Sequence, residues 1–218
     1  VLLVAGGLTV GEAAADAQFV RDLAALVERS GEAGSICSGA LLLAATGFLN
    51  GRRAATHWAS ANDLARLHPE VIVEPDRIFV HDGAWTSAGV TAGIDLALQL
   101  VRNHHGSEMA VEAARNLVVY LQRSGGQQQV STHLAAQQSA NPTMADLLAY
   151  IADHPDADLS IEALAAHVSM SERSFQRLFT AETGLSPGRY VERCRIDAAR
   201  ALLEQTEDGL AAIGARCG

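Results

Sequence analysis

The chain has 218 residues, enough for one large domain or two smaller ones, and 49% of them are hydrophobic, which suits a packed core. The formal net charge of −9 argues against a protein that binds nucleic acid over its whole surface. Three cysteines without a paired framework favour a reducing compartment, and neither a long uncharged apolar run nor a signal-peptide pattern is found. We therefore expect a soluble protein of the cytoplasm.

The first half of the chain alternates short apolar strands with helices, which predicts an α/β sandwich with some parallel pairing. Short β-prone runs predict strands at residues 1–4, 34–39 (ending in a sharp turn), 53–56, 71–74, 78–81 and 85–87. Apolar spacing predicts helices at residues 16–28, 41–46, 60–67, 90–103 and 107–121.

The sharp turn at residues 34–39 would lift the side chain of Cys37 into a cleft. The helix N-terminus that begins at Ser38 would favour negative charge, lower the pKa of the thiol and offer backbone N–H donors. His57 ends a predicted strand twenty residues later, and a Cys–His pair can form a nucleophile. The alternative is that Cys37 is a small buried residue and that His57, with Trp58 beside it, lines a ligand pocket.

A polar segment divides the chain into two predicted domains. Residues 124–142 are rich in Gln, Gly and Ser and have few apolar anchors, which is typical of a linker. The linker would separate a domain at residues 1–123 from a domain at residues 143–218. Thr143 is predicted to cap the first helix of the second domain.

Residues 159–187 show two short helices with a tight break at residues 169–171, followed by the start of a third helix. Ser160 and Ser171 are predicted to be the N-caps of the two short helices. In the second helix, an apolar stripe and a basic, amide-bearing stripe lie on opposite faces, which predicts a helix-turn-helix. Residues 171–200 contain six arginines and four acids, so this stretch is locally positive. The residues predicted to contact DNA are Ser171, Arg173, Ser174, Gln176 and Arg177.

Residues 160–218 resemble the DNA-binding domain of AraC/XylS-type transcriptional regulators. The resemblance is carried by the run IEALAAHVSMSERSFQRLFTAETGLSPGRYVERCRIDAARALL. It implies that a helix at residues 189–204 connects two helix-turn-helix units. Residues 209–218 resemble the first helix of the second unit, whose recognition helix is expected to follow beyond the chain.

Residues 4–7 (VAGG), 36–58 (ICSGALLLAATGFLNGRRAATHW) and 73–98 (VEPDRIFVHDGAWTSAGVTAGIDLAL) resemble the class I glutamine amidotransferase-like superfamily of the ThiJ/PfpI (DJ-1/PfpI) type. Sensor domains fused to AraC-type readers and isonitrile hydratases share this pattern. The resemblance implies a flavodoxin-like fold, a Cys37–His57 pair and backbone donors at Gly6 and Gly7. It also implies further strands before Val1, which would carry an acidic partner of the cysteine, so we expect an internal part of a longer regulator.

These patterns predict a sequence-specific transcriptional regulator whose sandwich domain senses a small molecule. The alternatives are a cysteine-dependent hydrolase or hydratase that uses Cys37 and His57, and an interaction module in which the sandwich only dimerises. The predicted ligand-binding residues are Gly6, Gly7, Cys37, Ser38, His57 and Trp58. The expected partners are operator DNA, an unidentified effector, a second copy of the chain and RNA polymerase; no cofactor, metal or membrane is expected.

Overall fold

The computed structural model describes residues 1–120, 122–130, 141–206 and 208–218, without the side chains of Glu204 and Gln205. These residues form two compact units, Val1–Gln129 and Val130–Gly218. The first part of the predicted linker belongs to the first unit, whereas residues 131–140 lie outside the described residues; the domain boundaries stay a prediction. In the described part of the chain, no helix combines the length and the apolar character needed to cross a membrane.

A four-stranded sheet in the order β1-β2-β6-β5 forms the centre of the first unit. Strands β1 (Leu2–Val4), β2 (Ala33–Ile36) and β6 (Trp85–Ser87) are parallel, and β5 (Phe79–His81) is antiparallel to β6. A separate parallel pair joins β3 (Arg53–Ala54) to β4 (Ile72–Val73). The predicted α/β sandwich with parallel pairing is therefore confirmed.

The helices of the first unit lie between the strands and after the last strand in the chain. They are α1 (Val10–Ala15), α2 (Ala17–Arg29), α3 (Gly39–Ala45), α4 (Ala61–Leu67), α5 (Val90–His105) and α6 (Ser107–Asn116), with a 3-10 turn at Trp58–Ser60. The sequence did not predict α1, because the glycines around it suggested a turn. Helix α6 ends earlier than predicted, since Val118 adopts a positive φ of 56° that an α-helix does not allow.

Three apolar clusters of described residues hold these helices on the sheet. Leu43, Leu49 and Leu64 are fully buried in the largest cluster, which joins α1 to α4 with the sheet. Trp85 packs with Leu96 and Leu100 of α5 in a second cluster, and a third cluster packs Ile78 against Ala92 of the same helix. Burial of each large side chain in these clusters stabilises the fold by roughly 1.5–3 kcal/mol, and together they fix the positions of β2, α3 and α5 around one cavity.

Among the described residues of the second unit, every regular element is a helix, as predicted. Its helices are α7 (Pro142–Asp153), α8 (Ile161–His167), α9 (Glu172–Thr183), α10 (Pro187–Gln205) and α11 (Leu210–Cys217). The Thr143 cap was wrong: Asn141 caps α7, and its side-chain oxygen accepts a hydrogen bond from the Met144 N–H at 3.3 Å. Pro142 takes the first helical position, where a missing N–H has no cost, and so shifts the start of the helix.

Candidate functional site

The turn from β2 into α3 forces Cys37 into an uncommon backbone conformation. Its φ is 60°, in the left-handed region that glycine adopts freely and other residues rarely do. The Cys37 N–H donates to the carbonyls of Ser87 and Ala88 at 3.0 and 2.9 Å, and the Thr56 hydroxyl donates to the Cys37 carbonyl at 2.9 Å. The backbone is thus held from two other segments, and the half-buried thiol lies at the corner.

Gly6 and Gly7 follow β1 and lie beside the turn at Cys37 and Ser38 that leads from β2 into α3, which we call the elbow. The Gly7 N–H donates to the Ser38 hydroxyl oxygen at 3.1 Å, and that hydroxyl in turn lies 3.3 Å from the Gly7 carbonyl. A Cβ at Gly6 would come within 2.7 Å of the Ser38 nitrogen, so this approach requires glycine. The loop and the elbow therefore meet as predicted, but the Gly7 N–H is already bonded within the protein.

His57 starts the 3-10 turn rather than ending a strand. Its Nδ1 accepts a hydrogen bond from the Ala59 N–H at 3.2 Å, so the neutral ring carries its proton on Nε2. A Cβ added to Gly89 would lie 3.0 Å from the ring. Among the described residues, no hydrogen bond joins the His57 ring to the Cys37 thiol. The two side chains share a wall but do not form a bonded nucleophile–base pair in this state.

A cavity of about 1030 Å³ opens in front of the elbow. Five of the six predicted ligand-binding residues line it, namely Gly6, Gly7, Cys37, Ser38 and His57. Trp58 is not in the lining and is 59% exposed, so the structure separates it from this group. One face of α5, with Val90, Gly93, Ile94 and Ala97, gives the cavity an apolar wall. A small amphipathic molecule fits this combination of polar elbow and apolar wall.

The sequence analysis missed a charged pair in the same lining. Asp63 and Arg66 of α4 form an ion pair of 2.7 Å, and both side chains are more than half exposed. Their spacing of three residues on a helix is the only sign of this pair in the sequence. Within the residues that the structure describes, no group of three or more metal-ligating side chains is found.

The second candidate site is the surface of α9. Ser160 caps α8 through the Ala163 N–H at 3.2 Å, and Ser171 caps α9 through the Ser174 N–H at 3.4 Å. The tight break between these helices is closed by a hydrogen bond from the Met170 N–H to the Ala165 carbonyl. The predicted N-caps are confirmed, and both helices begin where the sequence placed them.

Opposite faces of α9 differ as the sequence predicts. Phe175 and Phe179 are fully buried and pack edge to face with their ring centroids 5.4 Å apart. Arg173, Gln176 and Arg177 are exposed on the other side. Of the two serines predicted to contact DNA, Ser171 is exposed, Ser174 is half-buried, and their hydroxyls bond to each other at 3.0 Å. The structure therefore presents two arginines and one amide as a row, with the serine pair at its start.

Comparison with known proteins gives matches for both units. Residues 1–103 match the DJ-1/PfpI family model, and residues 164–218 match a helix-turn-helix domain model. The chain is 32% identical to the HTH-type transcriptional regulator ArgR of Pseudomonas aeruginosa, with 87% of this chain and 58% of that protein aligned. It is 29% identical to the HTH-type transcriptional regulator CdhR of the same species, over 85% of this chain and 55% of that protein.

The chain is also similar to an enzyme. The chain is 36% identical to an isonitrile hydratase of Pseudomonas putida, over 50% of this chain and 47% of the enzyme. The chain thus spans less than three fifths of each of these curated relatives, and the alignments with the two regulators are long enough to include residues of both units.

Proposed function

We propose that the protein is a cytoplasmic transcriptional regulator that senses a small molecule, with a DJ-1/PfpI-type domain followed by an AraC-type helix-turn-helix domain. The matches of residues 1–103 to the DJ-1/PfpI model and of residues 164–218 to the helix-turn-helix model support this proposal. The observation that carries the proposal is the exposed row of Arg173, Gln176 and Arg177 on a helix anchored by two buried phenylalanines. Arginine suits guanine and glutamine suits adenine in the major groove.

The cavity at the elbow is the proposed effector site. Its polar end holds Cys37, Ser38 and His57, and its apolar wall comes from α5. A carboxylate or amide head group would bond at the elbow, while an apolar body would pack on the helix. We propose operator DNA, the effector, a second copy of the chain and RNA polymerase as its partners.

The DNA contact is tested with duplexes selected from a random library by the protein. Arg177→Ala should weaken binding to the selected duplex by roughly 1–3 kcal/mol if Arg177 reads a base. If it contacts only phosphate, the loss should be similar for all duplexes and the salt dependence should become shallower. Arg21→Ala, an exposed arginine of α2, is the matched control. Enrichment of no duplex, or equal binding by Arg177→Ala, would contradict the proposal.

One specific observation favours the enzyme alternative: the Cys37 thiol lies at a strand-to-helix turn and lines the cavity. A regulator needs only a small group there, whereas a hydratase or hydrolase needs the thiolate as nucleophile. We expect Cys37→Ser to leave effector-dependent transcription largely intact in a reporter assay. Turnover of an isonitrile or amide panel by the unaltered protein, lost in Cys37→Ser together with the transcriptional response, would establish the enzyme instead.

A further inference from the structure

Residues 122–129, which we call the strap, are bonded to the first unit immediately before the chain continues into the second. The Ile78 N–H donates to the Gln127 carbonyl at 3.0 Å, and the Gln129 N–H donates to the Asp76 carbonyl at 3.1 Å. The Arg77 guanidinium donates to the Gly126 carbonyl at 2.9 Å. The strap therefore runs beside the segment that precedes β5, although its composition is typical of a free linker.

The start of the strap is anchored to α5. The Arg123 guanidinium contacts the Asp95 carboxylate at 2.7–2.8 Å, and the Arg123 N–H donates to the same carboxylate at 2.8 Å. Asp95 is only 2% exposed, and Arg123 also donates to the Thr91 hydroxyl at 2.9 Å. A charge-assisted contact with a buried carboxylate is strong and directional. Since α5 also forms the apolar wall of the cavity, this anchor lies on a cavity element.

The end of the strap is anchored beside His57. The Gln129 side-chain oxygen accepts from the Trp58 N–H at 2.8 Å, and its amide nitrogen donates to the carbonyls of Thr56 and Pro75, each at 2.8 Å. Thr56 and Trp58 are the two neighbours of His57 in the chain. Thr56 also donates its hydroxyl to the Cys37 carbonyl. The Gln129 carboxamide thus bonds to the residue before His57 and to the residue after it. Through Thr56 it is also connected to the backbone of Cys37.

We propose that the strap reports whether the elbow cavity is occupied. A molecule seated against Cys37 and His57 shifts the peptide units on either side of His57. The four side-chain hydrogen bonds of Gln129 cannot all follow that shift. Hydrogen bonds weaken steeply once their angles leave the favoured range. Occupancy therefore loosens residue 129, which is the last residue of the first unit before the chain continues into the second.

The inference names the regulation of the proposed effector site and rests on that proposed function. It has a consequence that needs neither the effector nor DNA. Coupling between two sites is reciprocal. Release of Gln129 must therefore change the affinity of the cavity for an occupant by the same factor by which occupancy changes the opening equilibrium of the strap. The alkylation rate of the Cys37 thiol reports the change in the cavity, and backbone amide hydrogen exchange reports the opening of the strap.

The test uses iodoacetamide as the occupant of the cavity in the whole chain. The Cys37 thiol loses its proton to the buffer, and the resulting thiolate attacks the CH₂ carbon of iodoacetamide. An S–C bond forms and iodide leaves, so a small amide stays in the cavity. Cys194 and Cys217 are buried, so one label per chain is expected by mass. We expect amide hydrogen exchange in residues 122–130 to become about tenfold faster after labelling, while exchange in β2 and β6 stays the same.

Three variants make the test specific. Gln129→Glu places a carboxylate oxygen against the carbonyls of Thr56 and Pro75, and Gln129→Met removes the bonds without adding charge. Both should show fast strap exchange without any label, no further increase on labelling, and a change of about threefold or more in the alkylation rate of Cys37. Gln18→Glu on α2 is the control. It adds the same charge and removes a side-chain hydrogen bond to Asp22, at a position far from the strap in the sequence.

The outcomes separate this inference from the proposed function. Strap exchange that is unchanged or slower after labelling would overturn the coupling, as would a Gln129→Met protein whose Cys37 reacts at the rate of the unaltered protein. Failure of the protein to select any duplex would reject the regulator but would leave the measured coupling of cavity and strap as it is. Both measurements are made on the same protein.

Discussion

At the scale of single residues, the elbow depends on backbone packing against backbone. A Cβ at Gly39 would overlap the Val4 carbonyl oxygen and would lie 2.9 Å from the Ala5 carbonyl carbon. No side-chain rotation can relieve such an overlap, because both partners are main-chain atoms. The end of β1 and the start of α3 can therefore meet only if residue 39 is glycine.

Gly39→Ala should destabilise the protein by about 1–3 kcal/mol, as overpacking of a filled site does. Gly11→Ala in α1 is the matched control, since a Cβ there meets nothing within 4 Å and alanine favours a helix. Urea unfolding of the two variants measures the difference. A Gly39→Ala protein as stable as Gly11→Ala would show that the junction is looser than described.

At the scale of elements, local signals explain which predictions were right. Ser160 and Ser171 were recognisable as caps because their hydrogen bonds close within three residues. The Thr143 cap was wrong because the helix begins at Pro142, which fits the first helical position, so the cap falls on Asn141. The bonds of Gln129 connect it to residues that lie 52 or more positions away, so no local pattern could reveal the strap.

The start of α8 also has a pH-sensitive support. The Ser160 N–H donates to the Asp158 carboxylate at 3.0 Å, and this bond lowers the pKa of Asp158. A lowered pKa in the folded state means that the support is present above the unfolded pKa of about 3.9 and is lost as pH falls through the folded value. The melting temperature of Asp158→Asn should therefore fall below that of the unaltered protein at pH 7, and the gap should narrow as the pH falls below about 3.9. A gap that stays the same as the pH is lowered through this range would contradict the assignment.

At the scale of the whole molecule, positive charge is scarce. The first unit carries nine arginines and thirteen acidic residues, and the second carries seven arginines and twelve acidic residues. Both units are therefore acidic, and attraction to DNA is confined to the stretch around α9 and α10. Long-range electrostatic attraction, which dominates non-specific binding, should contribute little.

We expect binding to scrambled duplexes to be no tighter than a Kd of roughly 10⁻⁴–10⁻⁶ M at physiological salt. Fluorescence anisotropy with a labelled scrambled duplex measures this affinity. The selected duplex serves as the positive control in the same buffer. Submicromolar binding to scrambled DNA would mean that a basic surface other than α9 takes part.

The left-handed backbone of Cys37 affects which residue laboratory selection would retain at position 37. Glycine adopts a φ of 60° without strain, so Cys37→Gly should raise the free energy of unfolding by about 0.5–1 kcal/mol while removing the thiol. Selection for heat resistance alone would thus favour glycine at this position, whereas selection for response to the effector would retain a small polar side chain there, cysteine or serine. A library passed through each regime and sequenced at codon 37 would show which demand the position serves.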